Sequence, residues 1–337
     1  MAATLALNDY EFYVQASALK CIGSASKILV IWEELRTQYP DIQENLLSIL
    51  RNNQEGIARK EACNVLCSFY QNLKLSTTFK QTLYEHMVSS ALADFHWEVQ
   101  LSALKFWRMV IHSLLSDQGM LDGTFPPVTF SRETRKIVTL TETEIQKRLI
   151  RILYELSSIG CLTVLVKLLH EDTELDIMET ALNISLDILN ILNQYKVPTM
   201  LKPVNNDVHS IDELLNNIVE ENTNQAEDIV EPETSAKSDN VIDEILKSDD
   251  INLLANIYER HMNLQGEKTL STSKPRIKLL KRVSPYFFVN HLIGTDFKVV
   301  VEQKKSWKIG IRSVSSLLDD VLGIYEINNE INSMDCY

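Results

Sequence analysis

The chain ends in Asp335, Cys336 and Tyr337, and these residues carry its most distinctive chemistry. A thiolate is a soft, strong zinc ligand, and a carboxylate adds an oxygen ligand. Cys336 supplies the thiol and Tyr337 the free α-carboxylate, one residue apart, so both can meet one metal ion or a close metal pair. Cys336 is not a prenylation site, because that motif needs the Cys fourth from the end. On residue chemistry alone, an incidental cysteine on a polar terminus is the simpler reading.

No other pattern points to catalysis. The phosphate-binding, dinucleotide-binding, nucleophile-elbow and zinc-protease motifs are all absent. Seven His are scattered, none at ligand spacing from another. Five Cys include no C-x-x-C pair, which argues against a structural zinc site and a secreted disulfide framework. Cys63 and Cys67 lie one helical turn apart and read as core residues, and Cys161 has no nucleophile signature. The chain is expected to be no enzyme and to hold no cofactor of its own. No signal peptide or apolar run of about 18 residues occurs, so a soluble, intracellular protein with no membrane partner is expected.

The elements that must position the tail follow from charge. Net charge is −13 over 337 residues, unevenly spread. Residues 205–250 carry fourteen acids and two bases, whereas 268–312 carry eleven bases and two acids. This divides the chain into an array (1–197), an acidic flexible linker (198–240), a helical then basic and aromatic docking segment (241–312), and an amphipathic helix with a tail (313–337). In the last part Val314, Leu317, Leu318, Val321 and Leu322 share one helical face, with Gly323 near its end. Leu317, Leu318 and Val321 are the candidate partner-binding residues that anchor the tail. The linker is expected to let the C-terminal part dock elsewhere than on the array. Lys and Arg interleaved with Tyr286, Phe287, Phe288, Phe297 and Trp307 raise nucleic-acid binding through 274–312 as an alternative. They equally fit an intramolecular partner for the acidic linker or a docking surface for an acidic protein. Ser284-Pro285 opens a helix that ends near Gly294, and FKVVVEQ, 297–303, reads as a strand.

The array is written in a repeat. VQASALKCI (14–22) recurs as VQLSALKFW (99–107), and each Val follows an Asp by five residues, Asp9 and Asp94. The frame recurs at Asn53, Ala58, Ala62 and at Asp172, Ile177, Ala181, with starts 44, 41 and 78 residues apart. That is the period of paired-helix solenoids, and the pattern resembles the second helix of HEAT repeats. Asp or Asn is expected to cap each helix start. Helices are expected over 9–38, 41–52, 54–73, 76–93 and 94–115, with a break at Pro40 and an undecided one at Gly23. Residues 116–140 read as an inserted loop, and Thr141 with Glu144 as a capping box. Trp32, Trp97 and Trp107 read as inter-helix packing residues. Val14, Leu19 and Ile22 have no preceding helix to cover them, which predicts an exposed apolar strip. The fold class is therefore all-α, a HEAT-like helical-repeat solenoid followed by a flexible acidic connector and a C-terminal tail.

HEAT-like helices, an acidic connector, a basic aromatic segment, SLLDDVL (316–322) and the terminal MDCY together resemble the C-terminal part of the BRAT proteins. The resemblance implies a non-catalytic scaffold that binds, stabilises and inhibits the Integrator RNA endonuclease together with its inactive homologue, both metallo-β-lactamase/β-CASP folds. It implies that the C-terminus meets the zinc of that enzyme, which falls here on Cys336 and Tyr337, with Asp335 and the Tyr337 ring as positioning groups. It also implies links to ATM-pathway proteins and a cytoplasmic and nuclear location. Nucleic acid is then the alternative partner, and a generic adaptor read through its C-terminus is the other.

Overall fold

The computed structural model describes residues 2–131, 136–170, 174–203, 213–214, 218–221, 276–279 and 281–310. Helices dominate: α1 (Ala2–Leu5), α2 (Phe12–Ala25), α3 (Leu29–Gln38), α4 (Ile42–Asn52), α5 (Gly56–Asn72), α6 (Thr77–Ala93) and α7 (Trp97–Asp117). After a hairpin of β1 (Val128–Ser131) and β2 (Lys136–Thr139) come α8 (Glu142–Ser158), α9 (Cys161–His170) and α10 (Leu175–Gln194). Short strands β3 (Ile218–Glu221) and β4 (Arg276–Leu279) precede α11 (Pro285–Gly294) and α12 (Phe297–Gly310). Residues up to Val219 and from Ile277 belong to one compact unit, while Glu220, Glu221 and Arg276 are the described residues of a second.

The repeat frame becomes stacked helices. Frame helices α2, α5, α7 and α10 pack on one another in sequence, and α4, α6 and α9 form the companion layer. The small frame residues Ala18, Ala62, Ala103 and Ala181 are all buried in these seams. Gly23 does not break α2; it lies against Val65, and an added Cβ would come within 3.3 Å of that side chain. The break falls at Ser26–Ile28 instead, and Pro40 separates α3 from α4 as expected.

Three frame residues, Asp9, Asn53 and Asp94, are not helix caps, and the fourth, Asp172, lies outside the described residues. Each of the three lies two residues before its cap residue and accepts the backbone N–H of that residue: Asp9 from Glu11, Asn53 from Glu55, Asp94 from His96, all at 2.9 Å. These are Asx turns. The residue six positions after each start then reaches back to the turn. Gln15 donates to the Asp9 carbonyl, Arg59 to the Asn53 and Gln54 carbonyls, and Gln100 to the Asp94 carbonyl. Gln15 and Arg59 also bridge to the next turn. Asn53 donates to Gln15 Oε1 at 2.9 Å, and Arg59 grips both oxygens of Asp94 at 2.8 and 2.7 Å. Arg59 and Asp94 are both buried, so this pair is paired and satisfied on all sides, as buried charge requires. Gly56 opens α5 against this point, since a Cβ there would fall 2.5 Å from the His96 ring.

Other expectations divide. Ser76, Thr141 and Ser284 cap α6, α8 and α11 through the backbone N–H three residues on. The Glu144 carboxylate bonds Arg148. The 116–140 insertion contains the β1–β2 hairpin, so it is not simply a loop, because Val128 to Ser131 and Lys136 to Thr139 pair antiparallel. It is held to the array where Phe125 N–H donates to the Tyr195 hydroxyl and Arg148 to the Gln118 carbonyl. FKVVVEQ is not a strand. Its β-branched run suggested one, but Phe297 and Val301 bury at helical spacing in α12. Trp32 and Trp107 are buried, Trp32 edge-on to Phe69 at 4.5 Å. Trp97 is a correction: it sits at the first residue of α7 and is 43% exposed. Leu19 and Ile22 are also covered, by α5 and the α1 region, so the exposed strip lies elsewhere than on them.

A pair this buried cannot be halved cheaply. Asp94→Ala leaves a guanidinium without its counter-charge, which costs about 3–5 kcal/mol. The exposed Arg108–Asp187 pair (2.8 Å) should contribute less than about 1 kcal/mol. Urea denaturation of Asp94→Ala, Asp94→Asn and Asp187→Ala checks the ranking. Asp94→Asn keeps the turn acceptor and should fall between the other two; equal stability of all three would remove the charge argument.

Candidate functional site

The sequence-predicted site residues Leu317, Leu318, Val321, Asp335, Cys336 and Tyr337 lie outside the described residues. So do most of the acidic linker and the 241–262 segment. What is described is the segment that delivers the tail, 281–310, and its seat.

For the described residues among 277–310 that seat is the array itself, which corrects the expectation of docking elsewhere for this part, the rest of the C-terminal part lying outside the described residues. The incoming strand-like stretch is held by backbone bonds. Ser157 Oγ donates to the Val283 carbonyl at 2.6 Å, and Val283 N–H donates to Thr163 Oγ1 at 3.0 Å. Ile277 N–H donates to Ser89 Oγ at 3.3 Å. Gly160, in the left-handed region at φ 89°, ends α8 and lets α9 turn away by 71°. Its missing side chain admits Leu279, which a Cβ would meet at 2.9 Å. Phe288, Val289 and Leu292 of α11 then bury against α8, α9 and α10.

Two histidines close the seam. His170 at the end of α9 and His291 of α11 meet ring nitrogen to ring nitrogen, Nε2 to Nε2, at 2.5 Å. Phe287 stacks on His291 at 5.3 Å and Phe297 meets His170 edge-on at 5.2 Å. Such a contact needs one ring nitrogen to donate and the other to accept, so at least the accepting ring must be uncharged. Burial lowers both pKa values; that of His291 falls to about 4, with the His170 charge adding to the burial. Beyond the seam, Lys305 of α12 pairs with Glu179 at 2.5 Å and Lys308 with Glu174 at 3.6 Å, both acids being on or beside α10. Lys281 pairs with Glu213 at 2.7 Å. Three cations of the basic segment thus answer acids of this same chain, one of them in the acidic linker region. Trp307, by contrast, faces solvent.

A groove of about 510 Å3 runs between α7 and α10 beneath the 118–123 turn, walled by Ile111, Leu115, Ile184, Ile188 and Ile191. Arg108 and Asp187 bridge its rim. Sequence reasoning missed it, although Ile184, Ile188 and Ile191 recur at helical spacing. It holds no nucleophile and base in hydrogen-bond reach. Cys161 is fully buried and burial pushes its thiol far up; the Cys63 thiol is likewise raised, first by its bond with Cys67 and then by burial. Among the described residues no group of three or more His, Cys, Asp or Glu is placed to hold a metal ion. Nor is any single described helix long and apolar enough to cross a membrane.

Residues 2–156, from α1 into α8, match the model of the family described as BRAT1, Integrator complex assembly factor BRAT1. A comparison with curated proteins finds no match.

The histidine seam predicts acid release. A released His291 returns toward about 6.5, so the undocked state binds more protons than the docked one below that pH. Docking strength is then fully present above about pH 6.5 and declines as pH falls toward 4. Hydrogen-exchange protection factors of 283–308 should drop across that window while those of α5 and α7 hold. His291→Phe keeps the ring packing and should flatten the dependence; an unchanged pH profile in that variant would assign the effect elsewhere.

Proposed function

We propose that this chain, a BRAT-type protein by its residues 2–156, is a non-enzymatic helical scaffold of Integrator assembly that holds the Integrator RNA endonuclease inactive through its own C-terminus. The observation that carries the reading is the family match to residues 2–156, because it is independent of the tail from which the resemblance was drawn. The partner is the endonuclease with its inactive homologue. Nucleic acid becomes the weaker alternative, since Lys281, Lys305 and Lys308 already answer acids of this chain.

The chemistry follows from the ligand pair. Cys336 as thiolate binds the zinc of the partner, and the Tyr337 carboxylate takes a second position on it or on an adjacent ion. Metal hydrolases need that position for the water they activate, so the tail and catalysis exclude each other. Leu317, Leu318 and Val321 anchor the tail, and Asp335 orients it. The docked segment sets the origin of the reach: α12 is tied at Lys308 to Glu174 and ends at Gly310. The 27 residues from 311 to 337 can span at most about 90 Å.

The test is Cys336→Ser beside a chain extended by a few residues after Tyr337. Each should weaken binding to the purified endonuclease heterodimer by roughly tenfold or more, about 1.4 kcal/mol, and restore its cleavage. Zinc-edge spectroscopy should show a sulfur ligand only with the native tail. Unchanged affinity and inhibition in both variants would sink the metal-ligand role while leaving the scaffold role standing.

A further inference from the structure

Helix α12 has two unlike faces. Phe297 and Val301 are buried, and Lys305 and Lys308 on the same stripe reach acids at α10. The outer side carries Val299, Val300, Gln303 and Trp307 at helical spacing, all of them exposed, Trp307 at 58%. A helix docked on a core by one face normally turns a polar face outward; this one turns out two valines and a tryptophan. The stretch of chain that follows matches that face. α12 ends at Gly310. After Ile311, Arg312 and Ser313, the sequence places Val314, Leu317, Leu318, Val321 and Leu322 on one helical face, with Asp319 and Asp320 on the other. Three residues is an ordinary connection between antiparallel helices, and Ser313 is a favoured N-cap. The lengths agree as well. Val299 to Trp307 and Val314 to Leu322 each span nine residues, about 12 Å of helix.

We propose that the outer face of α12 is the seat of residues 314–322 of this same chain, which return along it as the second arm of a helical hairpin. An antiparallel return sets Val314 and Leu317 beside Trp307, and Val321 and Leu322 beside Val299 and Val300. Leu318 covers the stem of Gln303 between them, and Asp319 and Asp320 stay in water. The link decides between this segment and other occupants. A short tether holds the two faces together at an effective concentration of about millimolar, which a second copy or a separate protein must match. The leucines that anchor the tail thus anchor it to the scaffold. The last fifteen residues, 323–337, then start beside the first turn of α12, where Phe297 meets His170, and span at most about 50 Å. The contact is internal to the chain and does not depend on what Cys336 and Tyr337 bind.

Hydrogen exchange of the full chain tests it. An isolated nine-residue helix is marginal in water, so protection of this segment reports docking. The amides of 316–322 should exchange at least tenfold more slowly than in a free peptide of residues 311–325. Val300→Asp should return them to the peptide rate while 301–308 and α5 keep their protection. Adding Val321→Lys to that variant should restore most of the protection; adding Val314→Lys should not, because Val314 lies at the other end of the arm. Exchange of 316–322 at the peptide rate in the parent would overturn the proposal, as would protection that survives Val300→Asp. Protection that grows only with concentration and a doubled mass would make a second copy the occupant, and protection seen only with the endonuclease heterodimer added would make that partner the occupant; either overturns it.

Discussion

Arg59, buried between two turns, sets the geometry on which the array depends. Its guanidinium satisfies the Asn53 and Gln54 carbonyls of its own turn and both oxygens of Asp94 in the next. A planar fork of donors does this where a lysine point charge would not. Apolar seams alone tolerate sliding, since burial is non-directional. Two carboxylate bonds at 2.7 and 2.8 Å do not. The pair therefore fixes the register of α5 against α7, and with it the seam in which Ala62 and Ala103 let the helices approach. Its net contribution to stability is smaller than its cost when broken, because both charges were taken out of water. Its role is to choose one stacking among many.

The same logic operates where the chain returns to the array. Val283 is pinned by hydroxyls of Ser157 and Thr163, so the backbone polar groups of an entering extended segment are answered without a full sheet. The apolar face of α11 then contributes burial, and the uncharged histidine pair joins α9 to α11. The ion pairs of α12 with Glu174 and Glu179 are half exposed and contribute orientation more than affinity. The direction in which α12 leaves the array is thus set by several modest contacts rather than one strong one.

Much of this was legible because it is periodic. The Asp-to-Val-to-Ala frame located α2, α5, α7 and α10 and their seams, and Ser284-Pro285 located α11. What periodicity could not show was function of the frame residues away from the helix. Asp9, Asn53 and Asp94 read as caps, yet the extra pair of residues before each helix makes them turn acceptors, and the partner at position six changes type between Gln and Arg. The α12 reading failed for a physical reason too: Val299, Val300 and Val301 favour strands locally, but tertiary burial of Phe297 and Val301 at a spacing of four decides for a helix. The groove between α7 and α10 needed two helices and a turn brought together from residues 108 to 191, which no local pattern reports. The candidate tail residues were read from their chemistry together with the family resemblance, and lie outside the described residues.

A fold of this kind offers surfaces, and under the proposed function control over an enzyme is exported along the chain to its terminus. A flexible terminus gains from being tethered to a docked scaffold, because its second contact becomes intramolecular and its effective concentration depends on linker length. That concentration falls steeply if the origin of the tether is itself loose. Anchoring α12 at Glu174 and Glu179 through Lys308 and Lys305 fixes the origin of a reach that runs the 27 residues from 311 to 337. Under the proposed function, zinc ligands on the terminus need only complete a complex that the helical surfaces have already brought together. The burial of the array and the chemistry of its last two residues are separate requirements, and the sequence meets them in separate segments.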